Sequence, residues 1–350
     1  MKNIAFLFAA GFIMFNFAKA QNVNIPDANF KAYLVGNTLI NTNGDNQIQV
    51  FEAAAFTGTI NANGKNIANA TGIEAFVKIT TLNIFSNQLT SLDVSKNTAL
   101  QSLSCHANQI TSLDVSKNTA LQTFYCYNNR LTNLDVSKNT ELANFACDDN
   151  MIPNLDVSKN TALQYFTCSN NRITNLDVSK NTLLTTFYCS YNQITNLDVS
   201  KSILLRFFDC ISNHLTNLNL KNGNNAAITS MRAHYNQNLT CIQVDNIANA
   251  NTYMWSKDTT ASYNTDCTGT LDVTNTSKKE IKLYPNPAKD LLHFSEEISN
   301  IKVLDTSGKI IREFSTSAKS IDVAKLPKGG YIISGITKTG QSITRKIIKQ

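Results

Sequence analysis

The residues in this 350-residue chain with the most chemical potential are eight cysteines, four histidines and one oxygen-rich loop. Six cysteines stand 21 residues apart, at Cys105, Cys126, Cys147, Cys168, Cys189 and Cys210. Thiols in such a series could bind metal, pair as disulfides, or fill a core as small, weakly polar groups. No histidine accompanies them and the CxxC spacing of zinc sites is missing, so unpaired core thiols are the favoured reading. Cys241 and Cys267 fall outside the series and are the expected disulfide, closing the segment after the last repeat. His106 and His234 lie at opposite ends of the repeated region, His214 in a turn and His293 in the tail, so no nucleophile–base set forms. GxSxG, HExxH and glycine-rich phosphate motifs are absent, and the expectation is a non-enzyme with no required cofactor. The loop Asn41–Glu52 places side-chain oxygens at Asn41, Asn43, Asp45, Gln47, Gln49 and Glu52, a pattern that could hold a hard cation.

The cysteines belong to a unit that recurs without insertion. LDVSK opens at Leu92, Leu113, Leu134, Leu155, Leu176 and Leu197, with a drifted copy at Leu218. Aligned, the copies form ladders. One is Leu100, Leu121, Leu142, Leu163, Leu184 and Leu205. The next is Leu103, Phe124, Phe145, Phe166, Phe187 and Phe208, and asparagines follow from Asn87 to Asn213. The alternation of Leu or Phe with Cys has the period of a short strand facing inward. Strands so spaced stack as one parallel sheet about 4.8 Å apart along an arc. The period and the LxxLxCxxNxI pattern resemble a leucine-rich repeat. A 21-residue coil leaves no room for a full convex helix, which predicts an extended or 3₁₀ back wall. On that wall the Asp93-type and Lys96-type ladders read as a mutually compensated, solvated face.

Residues 1–20 read as a secretory signal: Lys2, an apolar run from Ile4 to Phe15, then Ala18-Lys19-Ala20. That run is too short for a comfortable span, and no transmembrane segment is expected in the mature chain. Residues 21–57 predict a helical N-terminal cap, and 58–267 a solenoid with worn coils at both ends and a C-terminal cap containing Trp255. A Thr-rich linker, 268–277, precedes a small antiparallel β-sandwich over 278–350. The net charge of +6 gives no nucleic-acid footprint. Residues 271–350 carry 14 Lys and Arg against 8 Asp and Glu, so the other 270 residues balance.

Three resemblances add to this reading. The loop Asn41–Glu52 resembles the calcium loop of an EF-hand, but Asn41 replaces the usual first Asp and Asn46 the usual Gly. The resemblance implies a weak calcium site; a polar turn within the cap is the competing reading. Residues 22–267 resemble the short-repeat secreted leucine-rich-repeat proteins of the Bacteroidetes. The tail resembles the sorting domain of the type IX secretion system, on Tyr284-Pro285-Asn286-Pro287, Asp305 and Gly308, Gly330-Tyr331, and the terminal Lys346 and Lys349. This implies export through that machinery, to the outer cell surface or medium.

Strand residues pointing away from the core differ between copies while the ladders beside them hold constant. They include Phe85, His106, Tyr125, Tyr127, Asp148, Tyr165, Tyr188, Phe207 and Asp209. Tyrosine buries much apolar area while keeping a hydroxyl, which suits recognition. The concave sheet is therefore expected to bind a macromolecule, a protein ahead of a glycan. A structural surface component without a specific ligand is the remaining alternative.

Overall fold

The computed structural model describes residues 21–267, 281–306, 308–338 and 342–350. The expected signal segment and linker lie outside them. The chain divides into two compact units, Met1–Asp272 and Val273–Gln350.

The first unit opens with helices α1 (Ala28–Val35) and α2 (Val50–Ala55). Asp27 caps α1 by accepting the Phe30 N–H at 2.9 Å, satisfying one of the helix's orphan donors. Its second oxygen accepts the N–H groups of Ala68 and Asn69 at 2.8 and 3.1 Å, tying the helix to the first coil. Phe30 and Leu34 close the end of the core.

The solenoid strands are β1 (Thr59–Asn61), β2 (Thr81–Asn83), β3 (Ser102–Ser104), β4 (Thr123–Tyr125), β5 (Asn144–Ala146), β6 (Tyr165–Thr167) and β7 (Thr186–Tyr188). Then come β8 (Asn196–Asp198), β9 (Phe207–Asp209), β10 (Asn217–Asn219), β11 (Ser230–Arg232), β12 (Cys241–Gln243), helix α3 (Ile247–Ala250) and β13 (Ser262–Asn264). Strands β1 to β7, β9 and β11 form one parallel nine-stranded sheet, one strand per coil. Its register joins each ladder residue to its copy, Leu103 to Phe124 to Phe145, so the 21-residue period is the register. Phe124, Phe145, Phe166 and Phe187 stack with centroids 5.5–5.7 Å apart and planes within 10°. Each buried ring contributes about 1.5–3 kcal/mol of transfer free energy. All six ladder cysteines are free thiols in the interior.

Two asparagine ladders stitch coil to coil. Asn171 is typical of the first: its Nδ2 donates to the carbonyls of Cys168 in its own coil and Cys147 in the preceding one, at 3.1 and 3.0 Å. Its Oδ1 accepts the Ile152 N–H at 3.0 Å. The residue before each ladder asparagine is left-handed, with φ of 52–55° from Ala107 to Ser212. That conformation costs a residue other than Gly or Asn about 1–2 kcal/mol, and the stitching holds it in place. A second ladder, Asn97, Asn118, Asn139, Asn160 and Asn181, is fully buried on the back wall. Each donates through Nδ2 across the coil boundary, Asn160 to Val136 and Asn139 at 2.9 and 2.8 Å. No protein donor reaches their Oδ1 atoms. These residues were not singled out from sequence.

The back wall is extended and turn-rich, as expected, but β8, β10, β12 and β13 also pair into a second, four-stranded parallel sheet at its C-terminal end. The lysines of this wall act on the aspartates through their charge rather than as ion pairs. Asp93, Asp114, Asp135, Asp156 and Asp177 each accept the N–H of the serine two residues on at 2.8 Å. None of these carboxylates forms a salt bridge with its lysine among the described residues. Short carboxylates close an Asx turn at no cost in chain entropy, whereas an exposed lysine pair returns little. At the far end Trp255 covers the core and donates to the Ile228 carbonyl at 3.1 Å. Cys241 and Cys267 form a disulfide there.

The second unit contains β14 (Leu283–Tyr284), β15 (Leu291–Leu304), β16 (Ile310–Phe314), β17 (Ala318–Asp322), β18 (Gly329–Thr337) and β19 (Ser342–Lys349). The strands pair antiparallel, with a parallel bridge between Ala288 and Lys349, and β15 pairs with β14, β16, β17 and β18 through three register shifts. Bulges let one long strand bend and serve several partners. Ile298, Ile301, Val303, Ile333 and Ile347 belong to its core.

Candidate ligand-binding face

The open face of the nine-stranded sheet carries the residues singled out from sequence, and packing sorts them. Phe85, His106 and Tyr127 occupy one position in successive coils and stack face to face. The centroids are 4.4 and 4.2 Å apart and the planes lie within 14°. His106 Nδ1 is buried in this stack with no protein partner. Burial pushes the imidazole below its ordinary value, favouring the neutral ring.

The stack leads into an open cavity of about 650 Å³ lined by Tyr127, Ala146, Asp148, Asp149, Tyr165, Thr167, Ser169, Asn170, Tyr188 and Tyr191. Its shape follows from the repeat. Small residues, Ala146 and Thr167, occupy the column position that Tyr188 fills in the next coil, leaving a gap in the aromatic surface. Tyr165 remains 36% exposed and Tyr191 57%, large aromatic areas left to solvent. Asp148 accepts from the Thr167 hydroxyl and from the Ser169 N–H at 2.8 Å. Burial pushes its carboxyl above the usual range against these two bonds. Burial raises the phenols of Tyr127 and Tyr165, and the nearby Asp148 charge adds to it.

The remaining expected residues separate from this cavity. Tyr125 pairs in register with Ala146 but lies outside the lining, and Phe207, 40% exposed, pairs with Thr186. Asp209 is almost fully buried and already engaged by the Ser190 hydroxyl, the Ile211 N–H and the Arg232 guanidinium. Through Arg232 it ties β9 to the last strand of the sheet, β11. Sequence reasoning missed Tyr191, because it sits at the left-handed turn position, one past the strand residues used to define the face.

The EF-hand-like loop uses its oxygens internally. Glu52 accepts from the N–H groups of Thr42, Asn43 and Gln49 and the Thr42 hydroxyl, at 2.8–3.2 Å. Asp45 accepts from the Gln47 N–H and the Gln49 and Asn43 amides, Asn41 from the Gly44 N–H, and Gln47 from the Lys31 ammonium. Burial works to raise the Glu52 carboxyl, and its hydrogen bonds overcome that and hold it below the ordinary value. Both carboxylates of the loop, Asp45 and Glu52, thus serve donors within it. Among the described residues no group of three His, Cys, Asp or Glu side chains is placed to hold a metal.

In the tail, the Tyr284-Pro285-Asn286-Pro287 segment is pinned to the C-terminal strand. Asn286 Oδ1 accepts the Ile348 N–H at 2.8 Å, and Nδ2 donates to the Lys346 carbonyl at 3.3 Å. Asp305 closes a turn by accepting the Lys309 N–H at 3.0 Å, with Gly308 at φ 90°. The Tyr331 hydroxyl donates to the Pro327 carbonyl at 3.0 Å. Residues 282–350 match the family described as the secretion system C-terminal sorting domain.

The chain folds as a leucine-rich-repeat solenoid and ends in a secretion-sorting tail.

The tail indicates type IX secretion, to the cell surface or out of the cell. Solved structures similar to this chain include the functional domain of InlJ from Listeria monocytogenes, which includes a cysteine ladder. It is 19% identical, with a TM-score of 0.33, over 95% of this chain and 99% of that one. Internalin C2 of Listeria monocytogenes is 16% identical, with a TM-score of 0.47, over 69% and 98%. The leucine-rich-repeat protein LIC12759 of Leptospira interrogans is 16% identical, with a TM-score of 0.41, over 59% of each chain. No curated protein matches by sequence. No helix among the described residues is long and apolar enough to cross a membrane.

Proposed function

We propose that this exported leucine-rich-repeat protein binds a macromolecular ligand, a protein, non-covalently through the open face of its nine-stranded sheet. The observation that carries the reading is the aromatic cavity. Tyr127, Tyr165, Tyr188 and Tyr191 surround a space of about 650 Å³ that the fold itself leaves unfilled. The interior ladders answer to stacking, since every copy must fill the same gap. The face answers to no such constraint, and large aromatic groups kept partly in water there are the anchors that interfaces use. The secretory machinery recognised by the tail is the second partner, and it delivers the binding face outside the cell.

A glycan is the second reading, favoured by Asp148, which would accept sugar hydroxyls beside aromatic faces. One experiment separates the two. The full chain and a Tyr165→Ala, Tyr188→Ala, Tyr191→Ala variant are tested against panels of surface proteins and polysaccharides. Protein capture that the variant loses while its melting curve holds supports the proposal, and competition by soluble sugar would turn it to the glycan reading. Capture unaffected by the substitutions would remove the function from this face.

A further inference from the structure

Asp148 sets the chemistry of the cavity. It is an acid drawn into an aromatic surface, and the groups meeting its carboxylate are a hydroxyl and one backbone N–H. No salt bridge to it forms among the described residues. The other acid of the same face, Asp209, meets Arg232. The difference follows from the coils. The outward strand positions from Thr81 to Ile211 hold no lysine or arginine at all, so the protein supplies no cation to the middle of the face. The surroundings of Asp148 are tyrosine rings, whose faces carry negative quadrupole density and attract cations without replacing their charge.

We propose that the cavity is a receptor for a basic side chain, arginine or lysine, presented by the protein ligand, with Asp148 as counter-ion and Tyr127, Tyr165 and Tyr188 as its walls. The inference rests on the reading of the face as a protein-binding surface and names what that surface selects. An apolar anchor would leave the Asp148 charge buried and uncompensated, which is costly. A neutral hydrogen-bonding group would satisfy one lone pair and leave the charge. A guanidinium or ammonium neutralises it while its methylene stem lies along the rings. The Phe85–His106–Tyr127 stack gives the entering segment a path, because its ring edges run along the sheet to the cavity.

The test uses blocked single residues, so it does not depend on knowing the ligand. Nα-acetyl-arginine methylamide, its lysine counterpart and the isosteric norleucine methylamide are titrated into the full chain by calorimetry or ligand-observed NMR. Both cationic probes are expected to bind and the norleucine probe to bind at least about tenfold more weakly, the size of one charge-assisted contact. Asp148→Asn, which keeps shape and acceptor, is expected to abolish that preference. Asp156→Asn, altering an exposed carboxylate on the back wall while keeping the acceptor for the Ser158 N–H, is expected to leave the preference in place. Norleucine binding equal to arginine, or an Asp148→Asn protein that still prefers the cations, would overturn the assignment. So would a methyl glycoside that binds and competes where the cations do not. Protein capture by the open face with no cation preference would sink this inference and leave the proposed function standing. Cation binding without any protein captured by the face would do the reverse.

Discussion

The two asparagine ladders predict different responses to the same substitution. In Asn171→Ala, the carbonyls of Cys147 and Cys168 each keep another asparagine, Asn150 and Asn192, at 3.1 and 3.0 Å. The Ile152 N–H keeps nothing, because Asn171 Oδ1 is its acceptor and the residue is fully buried. An orphaned buried donor costs about 1–3 kcal/mol, and the lost shared bonds add about 1 more, for a total of about 3 kcal/mol. In Asn160→Ala, the Val136 and Asn139 carbonyls retain the backbone N–H groups of Asn139 and Leu142, at 3.0 and 3.2 Å. The substitution also removes a buried oxygen that no protein donor reaches. Two lost bonds of about 1 kcal/mol each, offset by about 1 for that relief, leave a cost of about 1 kcal/mol. The expected difference is therefore about 2 kcal/mol, larger for the ladder at the sheet. Urea unfolding monitored at Trp255 measures it. That residue is the chain's only tryptophan and lies in the solenoid unit, so tail unfolding does not contribute. An Asn160→Ala variant as unstable as Asn171→Ala would refute the reasoning that the orphaned donor dominates.

Three further outcomes follow from the same geometry. Ala107→Asn, at φ 52° where Asn128 and Asn170 stand in other coils, should raise stability by about 1 kcal/mol, read from the same urea curves; a loss would mean the turn is set by contacts rather than backbone preference. A thiol reagent should find no reactive cysteine in the native protein, because burial pushes Cys105 up to about 12 and the other ladder thiols well above their ordinary value. Denaturation without reductant should expose six thiols, and reduction should expose the remaining pair at Cys241 and Cys267. Glu52 has a folded value held below its unfolded one, so its contribution is complete above the unfolded value near 4.5 and is lost as pH falls through the lower folded value. Hydrogen exchange over residues 21–57 should loosen in that acid window in the native chain and less in Glu52→Gln, while millimolar calcium should leave the melting temperature unchanged; a calcium-induced rise would show that the loop rearranges to bind the ion.

Much of the fold was legible because a repeat reports its own register. Phe124, Phe145 and Phe166 can each occupy only the equivalent place in an identical coil, so a ladder in the sequence is a stack in space. The Asn87–Asn213 ladder was legible for the same reason, since an asparagine kept beside an inward strand has backbone to bind. The Asn97 ladder was equally regular but went unremarked, because polar residues between Lys and Thr in a turn look solvated. Only the path of the chain turns Asn97 inward beneath the next coil. The second sheet was hidden too, because Asn196-Leu197-Asp198, which pairs, is the same string as Asn133-Leu134-Asp135 and Asn154-Leu155-Asp156, which do not. Pairing there depends on how closely neighbouring back walls approach.

The candidate site divides along the same line. Sequence alone picked out a face where residues vary and aromatic side chains gather, because side chains outside the stack are free to differ. It could not tell Asp148 from Asp209, two acids on the same outward face. The tertiary structure decided between them by placing Arg232 beside Asp209 and only a hydroxyl and an N–H beside Asp148. Sequence determined the coil, its period, its core ladders and the exported tail, since these repeat or match as local strings. Which polar groups on the face are already satisfied, and which are left to meet a ligand, was settled by neighbours 19 to 23 residues away, through distances no single coil encodes.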